Sequence, residues 1–175
     1  GSECINLKRR EDCKKEKHFL YLAAFDSLLK VGISIEFRLM ERLVEQGADI
    51  AAKIASVKDG KEVRVVEQMA SKILGVTDRV RGETKNEKLF CNPNAAVVSI
   101  MNAVNKLKES ELREYLVPVE IYDLRKYYRL NNIVVNPKFL NIKEGTKIGG
   151  SVMAAKGNIL VLKDSNHLFY SINAH

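Results

Sequence analysis

The stretch LLKVGISIEFRLMERLVEQGADIAAKI, residues 28–54, decides the fold class, because a strand pattern gives way to a helix pattern within it. Its first eight residues are rich in branched apolar side chains between polar breaks, which is typical of a β-strand. From residue 36 onward the apolar residues recur at steps of three and four, which indicates one stripe of a helix. That stripe comprises Phe37, Met40, Val44, Ala48, Ala51 and Ile54. We therefore predict a strand at 28–35 and a helix over 36–54.

Further elements are predicted on both sides of this stretch. Residues 5–7 and 19–25 have the composition of strands. A second helix is expected to start near Asp59 and Glu62, which are spaced as in a capping box, and to end before Gly75. Its apolar stripe comprises Val63, Val66, Ala70, Ile73 and Leu74.

The second half of the chain continues from helix to strand. Asn92-Pro93 predicts the start of a third helix, because asparagine accepts hydrogen bonds from free amides and proline is well tolerated at the first helical position. The charged segment 77–90 before it is expected to be a surface loop, and a short helix is expected at 110–116. Short apolar segments then alternate with Gly, Asn and Asp breaks and are predicted to be strands. They are residues 119–124, 133–135, 139–142, 151–155, 159–162 and 168–172, with a hairpin turn at 164–166.

The order of strands, then helices, then strands argues against alternating βαβ units. We predict an α+β fold in which an antiparallel or mixed β-sheet packs against a cluster of three to four helices. Gly1-Ser2 resembles the remnant of an expression tag, and the chain begins as if excised from a longer polypeptide. Residues 3–175 are assigned to one domain, with strands in 3–35, helices in 36–116 and strands in 118–172.

Composition narrows the possible partners and compartments. The net charge of +7 and the isoelectric point near 9.3 favour polyanionic partners, nucleic acid first among them. Three irregularly spaced cysteines indicate reduced thiols rather than a disulfide framework. No apolar stretch approaches the ~18 residues of a membrane-spanning helix, so no membrane partner is expected.

Motifs for catalysis are not apparent. His18, His167 and His175 have no acid or nucleophile at a motif spacing, and there is no HExxH, CxxC, GxSxG or phosphate-binding loop sequence. We therefore expect a non-catalytic protein without a cofactor or a bound metal. A small metal-dependent nuclease is the enzymatic alternative, although it would require acidic residues to converge on one site.

Several short motifs, taken in order, resemble the cap-binding region of the orthomyxovirus polymerase basic subunit two. They are INLKR at 5–9, VRG at 80–82, LFCNP at 89–93, FLNIK at 139–143 and LFYSIN at 168–173. The region between Glu114 and Pro137 is shorter than in influenza, which points to a thogotovirus-type member. The resemblance implies a role in cap-snatching viral transcription, with other polymerase subunits and capped or viral RNA as partners. It also implies a location in the host cell nucleus and the virion.

The family holds a methylated guanine between two aromatic side chains while a carboxylate reads the base edge. The cap-site equivalents in this chain are Leu22, Phe25, Asp26, Arg42, Met69 and Asn94. Asp26 corresponds to the carboxylate, whereas Leu22 and Met69 stand where the stacking rings are expected. Because stacking a positively charged purine requires aromatic surfaces, the resemblance implies a degenerate cap site.

Two other hypotheses remain open at this point. The chain is a functional cap-binding or RNA-binding module if other aromatic residues, such as Phe25 and Tyr128, supply the stacking surfaces. Tyr128 belongs to an aromatic and basic stretch that suits RNA, although strand packing explains the same residues. Alternatively, the helical face is a scaffold that docks other polymerase subunits.

Overall fold

The structure is a computed structural model that describes residues 17–76 and 82–174. These residues form two four-stranded sheets and four α-helices, which confirms the predicted α+β class. In chain order the elements are β1 (His18–Phe25), β2 (Leu28–Ile35), α1 (Leu39–Gln46), β3 (Ile50–Val57), α2 (Glu62–Leu74), α3 (Gly82–Glu87), α4 (Pro93–Lys108), β4 (Leu116–Asp123), β5 (Lys138–Leu140), β6 (Ser151–Lys156), β7 (Ile159–Lys163) and β8 (Phe169–Asn173). The strand predicted at residues 5–7 lies outside the described residues.

The first sheet has the strand order β2-β1-β3-β4, and every neighbouring pair in it is antiparallel. Side chains on β1 alternate between its two faces, since successive residues of a strand point to opposite sides. Leu20, Leu22 and Ala24 enter one core with α2 and α4, whereas Tyr21 and Phe25 enter a second core with α1. Both faces of this sheet are therefore buried, which explains why β1 is apolar along almost its whole length.

The second sheet has the order β5-β8-β7-β6, with β5 parallel to β8 and the other pairs antiparallel. The predicted hairpin turn at 164–166 is confirmed. Asp164 N donates to Leu168 O at 3.0 Å, and the Asp164 carboxylate accepts from two backbone amides of the turn. A third core, which includes Ile159 and Val161 of β7, packs beneath this sheet.

The helix predicted over 36–54 is correct only in part. A 3-10 turn at Glu36–Arg38 leads into α1, which ends at Gln46 because Gly47 adopts a left-handed conformation with φ of 75°. Residues 50–57 then form β3, which lies between β1 and β4 and is buried on both faces. Such a strand lacks the alternation that marks a half-buried strand, so its apolar residues also matched a helical period.

The other predicted boundaries mostly hold. Helix α2 ends at the left-handed Gly75, and α4 begins at Asn92, whose side chain accepts from the amides of Asn94 and Ala95. The short helix expected at 110–116 is a 3-10 helix at Glu111–Tyr115. The prediction of a loop over 77–90 is wrong for residues 82–87, which form α3, and residues 133–135 do not form a strand.

One buried ion pair joins the two sheets. The ammonium group of Lys156, on β6, lies 2.7 Å from the carboxylate of Asp49, which immediately precedes β3. Their side chains are only 3% and 1% exposed. Lys156 Nζ also donates to the carbonyl oxygens of Lys88 and Leu89 at 2.9 Å. These bonds satisfy the ammonium group inside the protein, where an unpaired charge is costly.

Replacing Lys156 by methionine should lower the free energy of unfolding by about 3–5 kcal/mol, because the Asp49 carboxylate would stay buried without a counter-charge. The double variant Asp49→Asn/Lys156→Met should be more stable than the single Lys156 variant. Urea unfolding followed by circular dichroism measures both effects, and Lys138→Met at an exposed position of β5 is the control. A double variant whose free energy of unfolding is lower than that of the single Lys156 variant would contradict the role given to this ion pair.

Candidate functional site

The residues that the resemblance assigns to stacking lie in different surroundings. Leu22 and Phe25 are both buried on β1, but they face opposite sides of the sheet. Met69 of α2 is half-buried and packs at the margin of the core that contains Leu22. The structure therefore does not bring these three side chains together around one ligand.

Asp26 and the start of α4 do come together. Asp26 occupies the turn between β1 and β2 with φ of 55°. Its carboxylate accepts a hydrogen bond from Asn92 N at 3.0 Å and pairs with Lys88 Nζ at 3.0 Å. Asn94, which is exposed, donates its backbone amide to the Asn92 side chain at 3.1 Å. The amide of Asn92, followed by Lys88, holds the pKa of Asp26 below its ordinary value.

Phe25 and Tyr128, the alternative aromatic pair, are 1% and 2% exposed and share one buried core. The Tyr128 hydroxyl donates to the carbonyl oxygen of Ala48 at 2.5 Å. Burial raises the pKa of Tyr128, which keeps its hydroxyl protonated as this bond requires. Both rings are thus structural members of the core that packs beneath α1.

A polar cluster at the edge of the first sheet is the best candidate functional site. We call it the Tyr21 site, and it comprises Tyr21, Lys30, Arg42, Gln46 and Glu67. Gln46 Nε2 donates to the Tyr21 hydroxyl at 2.8 Å, and Lys30 Nζ donates to Gln46 Oε1 at 2.9 Å. Because the hydroxyl oxygen accepts the bond from Gln46, it keeps its own proton for donation to another acceptor. Gln46 therefore sets the orientation of this hydroxyl.

Gly32 makes room for the Tyr21 ring. The two residues are directly paired between β1 and β2. A Cβ atom on Gly32 would lie 2.5 Å from Cζ of the tyrosine, much closer than real carbon contacts allow. The ring therefore lies across the backbone of β2, the outermost strand, and its hydroxyl points toward the edge of the sheet.

Two opposite charges act on the Tyr21 hydroxyl. Burial raises the pKa of Tyr21, the bond from Gln46 lowers it, the positive charge of Arg42 lowers it and the negative charge of Glu67 raises it. Arg42 lies on α1 and Glu67 on α2, which pack on opposite faces of the sheet and both contact β2. Arg42 lies four residues before Gln46 on α1, so their side chains share one face of that helix, whereas Glu67 acts from the other face of the sheet. The edge strand is the place where groups from both faces can meet.

Sequence reasoning identified Arg42 alone among these five residues. Tyr21 lies within an apolar strand and resembles an ordinary core residue, and Glu67 resembles a solvated residue of a helix. The available signal was the pair formed by a tyrosine on one predicted strand and Gly32 on the next, since a strand glycine often marks close approach of another group. Recognising it required the register of the two strands, which sequence periodicity does not give.

Within residues 17–76 and 82–174, no three His, Cys, Asp or Glu side chains are grouped so that they could hold a metal ion. Among the helices of the described residues, none is both long enough and apolar enough to cross a bilayer.

The fold and site define an α+β protein with a polar cluster at a sheet edge. A family model described as "Protein of unknown function (DUF2797)" matches residues 2–173, so the chain belongs to the DUF2797 family. No curated protein and no solved structure matches the chain. Its function is therefore inferred from the geometry and charge of its own residues.

Asp26→Asn should destabilise the protein by about 1 kcal/mol near neutral pH, because the charged acceptor for Asn92 and Lys88 is lost. Asparagine tolerates the left-handed conformation, so the backbone is not strained further. Since the pKa of Asp26 is lowered in the folded state, its contribution is present above the unfolded value of about 3.9 and is lost as the pH falls through the folded value.

Urea unfolding at neutral pH and at about pH 3 tests this expectation, with the pH range set by the ordinary aspartate pKa. The difference in the free energy of unfolding between wild type and Asp26→Asn should become smaller at the lower pH. Glu144→Gln, at an exposed loop position, is the control and should show no such difference. An Asp26→Asn difference that is equal at both pH values would refute the role given to this carboxylate.

Proposed function

We propose that the protein binds a nucleic-acid phosphate at the Tyr21 site. The observation that carries this proposal is the hydrogen-bonded series from Lys30 through Gln46 to the Tyr21 hydroxyl at one edge of the first sheet. Arg42 lies one helical turn before Gln46 on α1 and adds a guanidinium to the same face. An ammonium group, a guanidinium and a hydroxyl are all donors that bind phosphate oxygens.

Arg42 is suited to hold the phosphate. It is exposed, and a guanidinium presents a planar set of donors that matches phosphate oxygens. Lys30 adds a second positive charge on the same side of β1, and it also fixes Gln46 by a hydrogen bond. The net charge of +7 supports a polyanionic substrate, because basic proteins attract nucleic acid at long range.

Tyr21 has a hydroxyl proton to donate, but its side chain is only 1% exposed, so a phosphate must enter beside the edge strand β2 to reach it. Burial raises the pKa of Tyr21 above the ordinary value, so the hydroxyl remains protonated at neutral pH. The bond from Gln46 orients the hydroxyl before a ligand arrives. A donor that is already held in place loses less entropy when it binds a phosphate oxygen.

Glu67 opposes this binding. Its negative charge acts on the Tyr21 hydroxyl from α2, on the other face of the sheet, and a carboxylate repels a phosphate.

Arg42→Gln should weaken the binding of labelled DNA or RNA oligonucleotides by about tenfold or more, because it removes a charged donor to phosphate. The difference from wild type should shrink at high salt, since phosphate contacts are salt-dependent. Tyr21→Phe should also weaken binding, and it removes only a hydroxyl, so the core packing of the ring is kept. Fluorescence anisotropy at two salt concentrations measures these effects on single-stranded and double-stranded oligonucleotides.

Arg113→Gln is the matched control, because it removes the same charge at an exposed position outside the Tyr21 site. It should bind as the wild type does. The proposal fails if the wild-type protein binds no oligonucleotide, or if the Arg42 and Tyr21 variants bind as tightly as this control.

A second candidate is the non-catalytic, cap-binding-like domain of a viral polymerase subunit. It is favoured by the bond between Asn92 N and the Asp26 carboxylate, which joins the LFCNP motif at 89–93 to the residue that corresponds to the cap-reading carboxylate. This candidate keeps the expectation of a degenerate cap site, other polymerase subunits as partners, and a location in the host nucleus and virion. Docking of those subunits through the helical face belongs to the same proposal.

Calorimetric titration with 7-methylguanosine cap analogue separates the candidates further. A degenerate cap site should bind the analogue weakly and without preference over unmethylated GTP. Leu22 and Met69 have no aromatic ring to stack on the base, and the ring of Phe25 is buried. Tight binding that depends on the methyl group and is lost in Asp26→Asn would instead establish a functional cap site.

A further inference from the structure

A cavity of about 560 Å³ lies outside the Tyr21 site. It is bordered by Phe90 and Cys91 ahead of α4, by the 3-10 turn Arg125–Tyr127 after β4 and by residues 130–133. Pockets of about 300–1,000 Å³ are typical of sites for small organic ligands. The volume therefore suits a ligand of moderate size.

The walls of this cavity combine a flat apolar surface with a polar edge. Phe90 lines it and is 42% exposed, so part of its ring is open to a ligand. Leu130 and Ile133 add aliphatic surface, and Asn131 supplies an amide that both donates and accepts hydrogen bonds. A planar ring with polar atoms at its rim fits these walls.

The charges around the cavity mostly cancel in pairs. The Asp49 carboxylate is paired with Lys156, and Arg125 makes two bonds to Asp123 at 2.9 and 2.6 Å. Lys126 also lines the cavity, and within the described residues it makes no ion pair. One positive charge thus remains to attract a ligand with an anionic group.

Cys91 does not change this balance. Burial, followed by the charge of Asp49, raises the pKa of its thiol to about 12. The thiol therefore stays protonated and neutral at physiological pH, and it contributes a small polarisable surface to the wall. Reversible binding, rather than covalent chemistry, is what this cavity supports.

We propose that the cavity binds a nucleoside carrying a phosphate, with the base against Phe90 and the phosphate toward Lys126. Asn131 provides the amide for the polar edge of the base. This ligand has two sources, a free mononucleotide or the phosphorylated end of a nucleic-acid strand. The proposal does not depend on phosphate binding at the Tyr21 site, because none of the five residues of that site lines the cavity.

Calorimetric titration of the full chain with the four nucleoside monophosphates tests the site. Saturable binding below about 1 mM is expected for at least one of them. Lys126→Gln should weaken it at least tenfold and should leave the binding of the matching unphosphorylated nucleoside unchanged. Phe90→Leu should weaken both ligands, because a branched aliphatic side chain offers no stacking surface.

Lys147→Gln, at an exposed position of the 141–150 segment, is the control and should bind as the wild type does. Oligonucleotides with and without a 5′-phosphate distinguish the two sources of the ligand. The proposal is overturned if no monophosphate binds saturably, or if binding is unaffected by either the Lys126 or the Phe90 substitution. Urea unfolding of each variant separates loss of the ligand from loss of the fold.

Discussion

The buried ion pair between Asp49 and Lys156 is the interaction on which the arrangement of this protein depends. Burial raises the pKa of Asp49, and Lys156 offsets that effect by its charge and its hydrogen bond. The second Asp49 carboxylate oxygen accepts from Asp26 N at 3.0 Å, and the Asp49 backbone carbonyl accepts from Leu124 N at 2.9 Å. One acidic residue therefore fixes the β1–β2 turn, the end of β4 and the second sheet. Removing a charged group from water is costly, so the close approach of the two opposite charges is needed to offset it.

Gly47 connects this ion pair to the Tyr21 site. Its left-handed conformation ends α1 directly after Gln46, and the chain then places Asp49 beneath the sheet two residues later. A Cβ atom at Gly47 would also approach Gly157 N at 2.9 Å, next to Lys156 on β6. The backbones of the two sheets thus come close at a pair of glycines. This short turn follows Gln46, which donates to the Tyr21 hydroxyl, and precedes Asp49, whose carboxylate joins the two sheets.

Local patterns predicted much of the fold. The strand at 28–35, the helix that ends at Gly75 and the helix that begins at Asn92 follow from side-chain composition and capping chemistry, which act over a few residues. Strand β3 was missed, because a strand buried on both faces has no alternation of apolar and polar residues. The division of the strands into two sheets was also missed, since it depends on long-range contacts such as that between Lys156 and Asp49. For the same reason Tyr21, Gln46 and Glu67 could not be grouped: they lie on three elements that meet only around the edge strand.

Binding of a nucleic-acid phosphate at the Tyr21 site depends on the donors grouped at the edge of the first sheet. A crystal structure with a bound oligonucleotide is the decisive measurement, because it locates the phosphates relative to these donors. We expect a backbone phosphate within hydrogen-bonding distance of Arg42 and of Lys30 or the Tyr21 hydroxyl. An oligonucleotide bound elsewhere on the protein, with no phosphate at the Tyr21 site, would refute this placement.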